Sequence, residues 1–233
     1  PQGQAVAQVF SNAVGLDPDR VASLKRAGAS GIHISLDSPD PEEHDQWRGR
    51  KGLFNLVERG VRNALREGLL VGLSTYATNE SIASKKLSRV AALAAEWGVH
   101  EVSVFDVIPT GRLLKNPEVM ITEKNRRLLL GEARQLNKQN RGRPRVVTQS
   151  WTNSGKGFAR FLGCLAANYQ FHITAFGDFM PCDFTPLSFG NIRVDSVADL
   201  WQRLVRHPAF CRRNRGCRMQ DPAFRKTYID SIP

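Results

Sequence analysis

Through the first 112 residues the apolar positions follow two spacings in turn: short apolar runs, then stretches with apolar residues three or four apart. That alternation predicts a parallel sheet with crossover helices. Ala7–Ser11, Gly31–Ser35, Leu70–Thr75 and Val99–Val107 read as strands. Asp17 supplies an N-cap, with Pro18 at the first helical position, for a helix whose apolar face is Val21, Leu24 and Ala27. Leu53, Val57, Val61 and Leu65 lie four apart on a second helix that Gly68 stops, and Leu87, Val90, Ala91, Ala94 and Ala95 give the face of a third over Ser84–Trp97. The short connections predict four consecutive parallel strands. Four strands cannot close a barrel, whose full form takes about 250 residues. The expected fold class is therefore α/β, a partial (β/α) barrel lacking its first strands.

After Arg112 the alternation stops. Thr122 caps a long polar helix to about Asn140, with Leu128, Leu129, Leu130 and Leu136 as its apolar content. Arg141-Gly142-Arg143-Pro144 reads as a linker, and Arg145–Gln149 as one further strand. From Cys164 onward the grain is finer: Tyr169–Thr174 and Phe179–Cys182 flank a hairpin turn at Phe176-Gly177-Asp178, and Ser196 caps a short helix carrying Val197, Leu200, Trp201 and Leu204. The division expected is a barrel segment over 1–150 and a small hairpin-and-helix module over 151–233. A module of that size needs help to be stable, and a metal is a common form of it.

Composition narrows the function classes. The hydrophobic share of 41% and charged share of 24% are those of an ordinary globular protein. No apolar run reaches the roughly 18 residues of a membrane span, and the N-terminus has no signal-peptide pattern, so the expected compartment is the cytoplasm. A chain that begins at Pro1, with strand-like residues from Ala5, is expected to be a fragment. The net charge of +11 is spread over several short clusters without interleaved aromatics, so nucleic acid is not an expected partner. Four cysteines are too few for a disulfide scaffold and favour metal ligation or buried thiols. The five histidines show no ligand spacing, and there is no nucleophile elbow or phosphate loop.

Ligands of parallel α/β folds bind at the C-terminal ends of strands. Here those ends read Phe10-Ser11-Asn12, Ile34-Ser35-Leu36-Asp37-Ser38, Leu73-Ser74-Thr75 and Val107-Ile108-Pro109-Thr110-Gly111-Arg112. In this order they resemble the later strands of the radical S-adenosylmethionine superfamily, with its (S/T)-N-(G/A), S-L-D and P-x-G-R strand ends; Arg48-Gly49 fits the same pattern. Cys164 and Cys182 form C-x12-G-x4-C around Gly177, followed by Gly190-Asn191-Ile192 and a helix with Leu200-Trp201. This resembles the start of the SPASM or twitch auxiliary-cluster domains. Cys211 and Cys217 match only the inner C-x5-C of the SPASM run, with Pro208 and Asp221 where its outer cysteines would stand. One cluster at most can then be fully held by thiolates, which is closer to the twitch type.

The resemblance implies an oxidoreductase-type radical enzyme that uses S-adenosylmethionine and a [4Fe-4S] cluster to make a 5′-deoxyadenosyl radical for hydrogen abstraction. Peptide or cofactor-precursor substrates and an electron donor such as ferredoxin or flavodoxin are implied with it. The C-x3-C-x2-C loop of the catalytic cluster is expected upstream of Pro1, which would leave this piece inactive alone. Implied metal ligands are Cys164, Cys182, Cys211 and Cys217, with Arg212, Arg213, Arg215 and Arg218 nearby expected to lower thiolate pKa values. Should Cys211 stand aside, the other three would leave one iron open to substrate. Implied cofactor contacts are Ser11, Asn12, Ser35, Asp37, Thr75 and Ile108, the last packing on adenine. For the strand-end polar residues the alternative is simple helix and turn capping. For the cysteines it is buried thiols or structural zinc, in a non-catalytic binding module for an acidic partner.

Overall fold

The computed structural model describes residues 5–141, 143–149 and 163–232. Gly142 of the expected linker, and residues 151–162 of the expected second domain, lie outside the described residues. The described chain separates into two compact units, one of residues 5–106 with 121–149, the other of 107–120 with 163–232.

The first unit is a five-stranded sheet, all parallel and in sequence order. Its strands are β1 (Ala7–Ser11), β2 (Ala29–Ser35), β3 (Leu70–Ala77), β4 (Glu101–Asp106) and β5 (Arg145–Thr148). The helices between them are α1 (Pro18–Arg26), α2 (Pro41–Arg48), α3 (Leu53–Arg66), α4 (Asn79–Ala83), α5 (Lys86–Glu96) and α6 (Glu123–Gln139). Alternation along each strand sets the two faces of the sheet. Ile32, Ile34, Val71, Leu73, Val102, Val104 and Val146 are buried in one core with Val57, Val61, Val90, Ala94 and Leu129 of the helices. Burial of each large aliphatic side chain contributes roughly 1.5–3 kcal/mol.

Asp17, Thr122 and also Asp40 accept from the backbone N–H three residues on, which starts α1, α6 and α2. The third expected helix is α5, starting at Lys86 and preceded by the separate short helix α4; the two are divided at Ser84-Lys85, where Lys85 takes a left-handed backbone with φ 51°. The Asn137 side chain of α6 answers both the N–H and the carbonyl of Val146, each at 2.8 Å, so β5 does not present bare hydrogen-bonding groups there. Buried Arg126 pairs with buried Asp106 at 2.8 Å.

The second unit has little regular backbone. β6 (His172–Ile173) and β7 (Phe179–Met180) form a short antiparallel pair, followed by α7 (Val197–Arg206), a 3-10 turn at Arg218–Gln220 and α8 (Pro222–Tyr228). Ser196 and Asp221 cap α7 and α8. Phe179, Leu200, Leu204, Phe210, Met219, Phe224 and Ile229 make its core, and Ile108 packs in the same cluster. The segment 107–120 is tied in by Arg225, which is buried and donates to Pro109 O (3.2 Å) and Leu114 O (2.6 Å) while pairing with Asp230 at 3.0 Å.

Candidate functional site

Two close backbone approaches shape the cysteine region. Gly163 has φ +59°, and a Cβ there would stand 2.1 Å from Asn214 O, so only glycine lets the chain lie against the loop 214–216. The next residue, Cys164, donates its N–H to Asn214 O at 2.9 Å. Gly177, with φ +93°, lies against the Asn191 side chain, whose Nδ2 donates to Phe176 O and to Asp178 Oδ1 at 3.0 and 3.1 Å. This pins the turn from which β7 runs to Cys182, and it gives a physical reason for the glycine inside C-x12-G-x4-C.

The result is that Cys164, Cys182 and Cys217 come to one apolar cluster, Cys182 buried in it and the other two half-buried against it. Cys182 is buried, and burial pushes its thiol up. The Cys217 thiol is pushed up to about 12, first by burial and then by Cys164 and Cys182. Within the arginine-rich run, the Arg218 guanidinium stacks on Phe210 and Phe224, with ring distances of 5.2 and 6.0 Å. What favours thiolate is first the Thr185 hydroxyl and then the backbone at Cys182, and the backbone at Cys217. The N–H of Phe184 points at the Cys182 sulfur, and those of Met219 and Gln220 at the Cys217 sulfur. Cys211 stands outside this group, exposed, with its thiol 3.6 Å from Pro208 O.

Among the described residues no set of three or more His, Cys, Asp or Glu is drawn together tightly enough to chelate one metal ion. A tetrahedral zinc with bonds of about 2.3 Å would need its sulfurs under about 4 Å apart. Thiolates held beside one apolar cluster, with amides aimed at the sulfurs of Cys182 and Cys217, are ligands of the kind that iron-sulfur clusters take.

The first unit presents a second site. Register places Phe10, His33, Gly72, Glu101 and Arg145 in one row across the sheet, and Ser35, Ser74, Ser103 and Val147 in another, all on the face the helices do not cover. The His33 ring lies over the bare backbone of Gly72 and stacks on Phe10 at 4.8 Å. Burial lowers its pKa, Glu101 opposing, and its Nδ1 has no hydrogen-bond partner among the described residues. Phe10 (60% exposed) and Tyr76 (51%) both lean on Phe105, at 6.4 and 6.2 Å.

Of the strand-end residues singled out from sequence, Ser35 lies on this open face. Ser11 and Asn12 hold local turns, accepting from Ala13 N and Val14 N at 3.1 Å each. Asp37 is held in a two-pronged ion pair by Arg48, at 2.5 and 3.0 Å. Two more lie elsewhere. Thr75 is only 4% exposed and shares the helix-covered face with Leu73, because residues one apart on a strand point to opposite faces; Ser74 and Tyr76 take the open side. Ile108 is committed to the second unit's core. His33, Phe105 and Tyr76 escape strand-end reading altogether, and the only signal for them was alternation.

Residues 164–221 match SPASM, an iron-sulfur cluster-binding domain. The chain is 24% identical over 255 residues to the AdoMet-dependent heme synthase of Methanosarcina barkeri (strain Fusaro / DSM 804), covering 96% of this chain and 72% of that one. In fold it is similar to native anSMEcpe with bound AdoMet, at TM-score 0.64 and 16% identity over 87% of this chain and 57% of that one. It is likewise similar to Streptococcus suis SuiB bound to precursor peptide SuiA, at TM-score 0.62 and 15% identity over 83% and 47% of the two chains. The chain thus spans about half the length of these solved structures.

Proposed function

The chain carries the fold of the radical S-adenosylmethionine enzymes and a SPASM iron-sulfur domain, and from that premise we propose that it is the substrate-side and auxiliary-cluster portion of such an enzyme. The observation that carries this reading is the gathering of Cys164, Cys182 and Cys217 inside the stretch that matches the iron-sulfur domain. These three would hold a [4Fe-4S] cluster, with Cys211 outside the ligand set and the fourth iron open to another ligand. The chemistry supplied with S-adenosylmethionine bound is reductive cleavage to a 5′-deoxyadenosyl radical that takes hydrogen from substrate. An external one-electron donor such as ferredoxin or flavodoxin completes the reaction.

The chain's own contribution is enclosure and orientation. Cys182 is buried and Cys217 half-buried against the same core, and backbone amides favour their charged forms. The open face of the sheet offers the hydroxyls of Ser35 and Ser103 for polar groups and the Phe10, Phe105 and Tyr76 rings for flat or apolar ones. A peptide or a cofactor precursor is the substrate class this supports. The heme synthase and the peptide-bound SuiB stand for those two classes among the similar proteins.

The test is anaerobic reconstitution of the chain with iron and sulfide, then calorimetric titration with S-adenosylmethionine. Iron and sulfide in cluster ratio and saturable binding are expected. Zinc taken up in place of iron, with no cofactor binding, would instead favour a zinc-stabilised binding module for an acidic partner.

A further inference from the structure

Thr185 is 1% exposed, and its Oγ1 lies 3.2 Å from Cys182 Sγ. Its backbone is fixed independently, the carbonyl accepting from Leu187 N at 2.9 Å. Between a thiol and a hydroxyl either atom can donate. A sulfur bonded to iron has no proton left, so the hydroxyl must then be the donor. We propose that Thr185 is a positioning residue for the auxiliary cluster: its hydroxyl donates to the Cys182 sulfur, holds that sulfur in place and sets the ease with which the cluster accepts an electron. This rests on the reading that Cys182 ligates a cluster.

The physical case is that donors to ligating sulfur withdraw electron density and stabilise the reduced, more negative state. A buried hydroxyl without a partner is costly, so the Oγ1–Sγ contact is maintained when the proton leaves the sulfur. The Phe184 N–H reaches the same sulfur from the same loop. Loop 182–187 therefore brings one fixed amide and one side-chain donor to a single ligand, and only the side-chain donor is open to substitution.

The experiment compares the reconstituted wild-type chain with Thr185→Val, which keeps the shape and removes the hydroxyl, and with Thr185→Ser, which keeps the hydroxyl. Iron and sulfide are counted, and the cluster is titrated reductively by paramagnetic resonance. Thr185→Val is expected to move the reduction equilibrium about tenfold against reduction, about 59 mV more negative for one electron. Thr185→Ser is expected at the wild-type value. Loss of iron from the valine variant alone also supports the hydroxyl's hold on the sulfur. A fully loaded valine variant that titrates with wild type overturns the inference while the cluster reading stands. A wild-type chain that takes up no iron and sulfide overturns both.

Discussion

The two units are held together in different ways. In the first, five parallel strands keep long stretches of register and bury a continuous aliphatic face under helices. In the second, the two strands are two residues each, and order depends on caps, on Arg225 clasping carbonyls and on a core that includes Cys182. A ladder with an apolar core is stable by itself. In the smaller unit the thiols beside the core would repel one another as thiolates. A bound group is therefore expected to matter most to the second unit.

Cys217→Ser should sharpen the contrast most, abolishing retained iron while hydrogen exchange within 5–106 stays unchanged. Loss of protection across both units would break it. Chelation of iron from the wild type should likewise raise exchange across 163–232 and leave β2, β3 and β4 protected. The reverse case is Arg126→Met. Removing one partner of a buried ion pair costs roughly 3–5 kcal/mol, so denaturant stability of the sheet unit should fall by that order with iron content intact.

The smallest effect concerns pH in the iron-free chain. Cys217 is raised from an ordinary value near 9 to about 12. Between these values the unfolded chain has lost the proton and the folded chain keeps it, so stability falls as pH rises through that window. A denaturant midpoint that declines from pH 9 upward, and declines less in iron-free Cys217→Ser, is expected. Equal slopes would remove the sulfur from that account.

Much of the first unit is legible along the chain because its periodicities are local. The strands, the caps at Asp17 and Thr122, and β5 beyond the polar helix all follow from spacing and capping chemistry. The same Asp-Pro signal as Asp17-Pro18 starts α2 at Asp40-Pro41 and α8 at Asp221-Pro222. There the signal stands before helices of only eight and seven residues, too short for an apolar period to support it. Thr75 shows the limit of strand-end reading: chemistry picks a hydroxyl, but the two-residue period decides which face it serves. Ile108 and Arg225 show a different limit, since nothing local says that 107–120 folds with residues more than 100 positions later. In the second unit, the approach of Cys182 to Cys164 follows from one glycine and one hairpin. The exclusion of Cys211 from the cluster of thiols depends on the tertiary course of the chain after α7.

The central claim is that three of the four cysteines, and not Cys211, hold a multi-iron cluster. It is tested most directly by iron and sulfide analysis of anaerobically reconstituted wild type, Cys211→Ser and Cys217→Ser. About four iron and four sulfide per chain are expected in the first two and none in the third. Iron lost equally from Cys211→Ser, or zinc in place of iron in the wild type, would contradict it.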